Sequence, residues 1–220
     1  MGSEGHRLPL CLAGGRSYES RMTPLSPRFD AVIADIDAAN AQDPRQMQLA
    51  GAMRPREVVY SERMSDCLPR LYPEASEALR IAARAQHIRR WQIPRKDYPL
   101  GREGYNAWRS ACRDHHASLT SAVMRRHGYA DEEIAQVVKI IRKEQLKRDP
   151  ESQALENVVA VVFVEHYLDE FIAEHKDYDD AKLADILRKT LRKMDATGHA
   201  AALGLNLPES TARLIGLALK

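Results

Sequence analysis

The chain has 220 residues, enough to bury one well-packed core. Its 33 Lys and Arg against 31 Asp and Glu leave a net charge of +2, which excludes the global basic surplus of a protein that coats nucleic acid, so any anion-binding surface has to be local. Cys11, Cys67 and Cys112 form no CxxC pair, which argues against a disulfide framework or zinc knuckle and for reduced thiols in a cytoplasmic protein; no apolar run reaches membrane-spanning length.

Residues 1–26, rich in Gly, Ser and Pro, read as a flexible leader, and the short LPLCLAGG within them lacks the cleavage site of a secretory signal. From residue 27 to 220 the period is helical, and a single domain of seven or eight helices is expected. Ser26-Pro27 supplies a cap and a first-turn proline, and Phe29, Val32, Ile33 and Ile36 make one apolar stripe that ends before Asp43-Pro44. A polar connection leads to Pro55. The next stripe is Tyr60, Met64, Cys67, Leu68 and Leu71, with Pro69 in its last turn.

An Ala-rich helix, roughly Glu74 to Ile88, carries AARAQHIRRW, whose small residues let neighbouring helices approach closely. The irregular QIPRKDYPLGREG follows, long and basic enough to be a binding element. A fourth helix sets Tyr105, Trp108, Cys112, Leu119 and Val123 on one face and stops at Gly128. A fifth, capped by Asp131, has the stripe Ile134, Val137, Val138 and Ile141. The sixth opens at Pro150 and runs through VVAVVFV, apolar all round and therefore expected to be buried on every side. A seventh carries Leu183, Ile186, Leu187, Leu191 and Met194 and ends before Gly198; PESTARLIGLALK makes one more. No segment reads as a β-strand, and the expected fold is an all-α compact multi-helix bundle.

Four features carry chemistry. His87 sits on an apolar helix face below Leu79 and Ala83, as a core histidine or as a ligand. One of the pair His115 and His116 faces inward, and Glu165 follows VVAVVFV, where an unpaired carboxylate is costly. Two readings stand: His87, His116 and Glu165 hold a divalent metal ion, or Glu165 pairs with an arginine and no metal is involved. The third feature is the basic-aromatic block containing Arg90, Trp91, Arg95, Tyr98, Trp108 and Arg109, suited to phosphate and stacking contacts, or else anchored by core tryptophans with solvated charges. In IRKEQLKR, Lys143 and Lys147 either approach that block or complement a helix dipole.

The stretches FDAVIADIDAANAQDP, YSERM, RAQHIRRWQIPR, GYNAWR, IRKEQLKRDPESQALENVV, VVFVEHYLDEF and LRKTLRKM resemble the family called domain of unknown function 4202, over about Phe29 to Leu205. The resemblance implies a compact helical cytoplasmic protein and no particular activity. The order of helices is also similar to that of the HD-type phosphohydrolases, with Tyr60 at the place of their first histidine, His87-Ile88 at their His-Asp pair and Glu165 at their last carboxylate. Two functions follow as expectations. One is a metal-dependent phosphohydrolase-like protein acting on or binding a phosphate-containing small molecule or nucleotide, with His87 and Glu165 catalytic. The other is a non-catalytic module that binds nucleotide or RNA through the basic-aromatic block.

Overall fold

The structure, a computed structural model, describes residues 25–219. The leader expected over residues 1–26 lies almost wholly outside the described residues. Helix α1 (Phe29–Asn40) buries Val32 and Ile36 as its stripe requires. The connection read as polar coil is a hairpin, β1 (Gln46–Leu49) and β2 (Ala52–Pro55), antiparallel with Gln46 opposite Pro55 and Leu49 opposite Ala52. Its turn places Ala50 at φ 50° and Gly51 at φ 83°, the two positive values that a right-handed twisted hairpin demands. Helix α2 (Arg56–Leu71) starts as the hairpin closes, with the Arg56 amide donating to the Arg45 carbonyl at 2.9 Å, and it carries Pro69 in its last turn.

The Ala-rich helix α3 (Glu77–Ala85) is capped by Ser76, whose hydroxyl accepts from the Leu79 amide at 3.1 Å. Ala82, Ala83 and Ala85 are fully buried. Two 3-10 turns, Arg90–Gln92 and Arg95–Asp97, occupy the irregular stretch before α4 (Gly101–Arg126). Helix α5 (Asp131–Arg142) begins with the Glu133 carboxylate accepting from the Ala130 amide, so Asp131 is its first residue and not its cap. Helix α6 (Pro150–His166) packs on α2, α3, α5, α7 (Leu168–Glu174) and α9 (Ala196–Leu203), while α8 (Asp180–Leu191) pairs with α10 (Glu209–Ala218).

One apolar core runs from Val32 on α1 to Ala218 on α10, and the all-α expectation holds apart from the hairpin. The described residues include ten α-helices, more than the seven or eight expected. The additional elements are α7, split from α6 at Tyr167, and α9, where a glycine had been read as a stop. No helix among the described residues is long and apolar enough to cross a membrane. Helix α6 is buried on most sides, yet Val159 and Phe163 are only partly covered. Their face opens on a cavity.

Candidate functional site

That cavity, about 550 Å³, lies between α2, α4, α6 and the segment joining α3 to α4, with Ile186, Thr190 and Lys193 closing it from the α8 side. Its walls follow helical periodicity. On α4, Tyr105, Trp108, Arg109, Cys112, Arg113 and His116 recur at three- and four-residue steps and form one stripe. On α6, Glu156, Val159, Ala160 and Phe163 do the same. The first turn of α2 adds Arg56, Glu57 and Tyr60.

His87 is held on two sides. Its ring lies flat on Tyr60, centroids 3.7 Å apart and planes 9° from parallel, and its Nδ1 stands 3.1 Å from Glu57 Oε2. Glu57 is in turn fixed by the Arg45 guanidinium at 2.6 Å, which also bridges to Asp43 at 3.0 Å. Burial pushes the Glu57 carboxyl up, with Arg45 opposing it. With the proton on Nδ1, shared with that carboxylate, Nε2 of His87 is a lone-pair acceptor without a protein partner. Burial, with Arg90 and Lys143 nearby, holds the His87 imidazole well below its ordinary range, so the ring is neutral at pH 7.

His116 is the inward member of its pair. Its ring centroid is 5.8 Å from that of His87, the residue is 1% exposed, and neither ring nitrogen has a hydrogen-bond partner. Burial, then the neighbouring His87 and Arg90, keep it uncharged as well.

Seven cationic side chains line the cavity against two carboxylates, Glu57 and Glu156. Several of the cations are already engaged. Arg56 grips Glu170 at 2.8 and 2.9 Å, Arg113 donates to the Arg142 carbonyl at 3.2 Å, and Lys143 donates to Glu156. Burial alone would raise the Glu156 carboxyl, but the Lys143 ammonium more than offsets this and holds it at about 2. The guanidinium groups of Arg90 and Arg109 make no ion pair or hydrogen bond among the described residues. Arg90 lies over the Trp108 ring at 4.7 Å and Arg109 over Tyr105 at 5.8 Å, contacts that leave their N–H groups open to a ligand.

Of the residues singled out in the sequence, His87, His116, Arg90, Trp108, Arg109 and Lys143 meet at this cavity. Others do not. Glu165 forms a two-pronged pair with Arg70 at 2.6 and 2.9 Å, the arginine alternative raised above, and does not line the cavity. Nine residues separate it from Glu156, and at 100° per residue they point to opposite faces of α6. The proposed ligand set of His87, His116 and Glu165 therefore does not assemble, and no group of three or more His, Cys, Asp or Glu among the described residues is arranged to hold a metal ion.

Arg95 donates to the carbonyls of Tyr98 and Pro99, both at 2.9 Å, so its fork shapes its own loop. Lys147 is turned to the carbonyls of Lys193 and Met194 at 2.9 and 2.8 Å. Trp91 and Tyr98 lie outside the cavity wall. Glu57, Glu156, Arg45 and Lys193 were not anticipated. The α6 spacing Glu156, Val159, Ala160, Phe163 is the signal that could have found one of them; Glu57 meets His87 only through tertiary packing.

The model of the domain of unknown function DUF4202 matches residues 30–215 of this chain. No curated protein matches the chain, and no solved structure does.

Proposed function

We propose that this chain, which belongs to the DUF4202 family, binds a phosphate-bearing small molecule with an aromatic part, of about the size of a mononucleotide, in the cavity between α2, α4 and α6. The observation that carries this reading is the excess of cations over carboxylates at an aromatic-walled cavity in a chain of net charge +2, with Arg90 and Arg109 unpaired. Guanidinium forks match phosphate oxygens, and Trp108 and Tyr105 offer faces to a planar ring. A volume of about 550 Å³ suits a small ligand taken up by a concave site.

The volume favours this over RNA, which needs an extended basic track with successive stacking platforms. Trp91, Arg95 and Tyr98, which could have extended such a track, are not part of the wall. Phosphohydrolase activity through a metal held by His87, His116 and Glu165 has no support from the geometry, because Glu165 is paired with Arg70 on another face.

The test is a thermal-shift titration with mononucleotides, inorganic phosphate and short RNAs. Mononucleotides should raise the melting temperature of the parent and shift Arg90→Ala and Arg109→Ala much less. A stabilisation only by RNA, or equal responses from both variants and the parent, contradicts the reading.

A further inference from the structure

The least accounted-for polar group at the cavity is His116. A neutral imidazole offers one N–H donor and one lone-pair acceptor, and here both are buried without a partner. Buried polar groups are rarely left this way, and an unsatisfied one costs the full desolvation penalty. A few ångströms away, His87 presents a second free lone pair at Nε2, because Glu57 occupies its Nδ1. The site thus combines unpaired guanidiniums, which want negative oxygens, with two idle acceptors, which want a proton.

One kind of anion meets both demands. A phosphate monoester keeps an ionisable oxygen and takes its second proton near pH 6. It can enter with one P–OH that donates to an imidazole nitrogen while its charged oxygens face Arg90 and Arg109. Sulfate and phosphodiesters carry charge at neutral pH but no proton, so they leave a lone pair idle or face it with an oxygen. We propose that His116, aided by His87, selects a terminal phosphate monoester over phosphodiesters and sulfate, and that binding takes up one proton. This rests on the reading of the cavity as a phosphate pocket.

The surroundings of the two rings favour the neutral apo state. From α2 and the loop before it, Arg56 and Arg45 face the cavity beside Glu57 and Tyr60. From α4 come Arg109, Arg113 and Cys112, with His115 beside His116. Arg90, Lys143 and Lys193 complete the positive side, and Glu156 on α6 is committed to Lys143. Bringing in the two negative charges of a phosphate offsets part of that field and makes a proton at the site less costly. Whether it resides on oxygen or nitrogen, the count is the same.

Isothermal titration calorimetry at pH 7.5, with adenosine monophosphate and with its 3′,5′-cyclic diester, each in two buffers of different ionisation enthalpy, tests this. The parent should bind the monoester with uptake of about one proton, and the diester at least about tenfold more weakly with none. His116→Phe, which offers neither an acceptor for the P–OH nor a nitrogen to protonate, should lose most of the uptake. The same variant should lose the preference for the monoester, with circular dichroism confirming its fold. Equal affinity for the two ligands, or monoester binding without proton uptake, overturns the proposal and leaves the phosphate pocket standing. If neither ligand nor inorganic phosphate binds the parent, both fall together.

Discussion

Lys143 and Glu156 meet with side chains only 5% and 6% exposed, and the backbone of Lys143 is left-handed, φ 57°, to bring the ammonium there. Two charges removed from water tolerate each other's presence far better than either tolerates the other's loss. Glu156→Gln should therefore destabilise the protein by about 3–5 kcal/mol in urea unfolding, and pairing it with Lys143→Met should recover much of that. A small effect of the single substitution would show that water reaches the pair. Arg90 and Arg95 separate in the same way. Arg90→Ala should weaken phosphate-ligand binding by about 1–3 kcal/mol with little change in stability. Arg95→Ala loosens the Tyr98–Pro99 turn, and any loss of binding should be accompanied by a lower melting temperature. The sequence presents these arginines alike, as it does Glu156 and Glu165. Helical phase distinguishes the two glutamates; only the folded loop distinguishes the two arginines.

The entry to α4 is a tight piece of packing. A Cβ on Gly104 would fall 1.9 Å from the Pro99 carbonyl oxygen, so the turn through Pro99 and Leu100 can lie against the helix only because position 104 has none. Gly104→Ala should cost about 1–3 kcal/mol and displace the neighbouring Tyr105 and Trp108, lowering ligand affinity as well. Near-UV circular dichroism of the tryptophans reports the displacement, and an unchanged spectrum would contradict it. Helix positions were largely readable because the apolar stripes have a 3.6-residue period. The hairpin was not, since its turn is Ala50-Gly51 with no Asn or Asp to signal positive φ. Gly198 misled for a physical reason: it is small because Asn157 Oδ1 would lie 2.7 Å from its Cβ, a packing need inside α9 that looks like a helix stop.

Across the whole molecule, the two cavity imidazoles tie stability to pH. His87 and His116 have folded pKa values well below the 6.5 of an unfolded histidine, so below that pH the unfolded chain binds protons that the folded one does not. Their contribution to stability is fully present above pH 6.5 and is lost as pH falls toward the folded values, at up to about 1.4 kcal/mol per unit for each ring. Glu156 adds a second, separate loss between about pH 4.5 and 2, since its folded pKa is depressed. Unfolding free energies measured from pH 8 to 5 should fall with acidity in the parent and less steeply in His116→Phe. Equal slopes would show that His116 is protonated in the native state.

The claim that the cavity is a phosphate pocket meets its most direct test in a crystal structure grown with adenosine monophosphate. The phosphate should lie within the cavity, its oxygens within hydrogen-bonding distance of the Arg90 or Arg109 guanidinium and of a His116 ring nitrogen, with the base against Trp108 or Tyr105. A nucleotide bound elsewhere, with the cavity empty at saturating ligand, would contradict it.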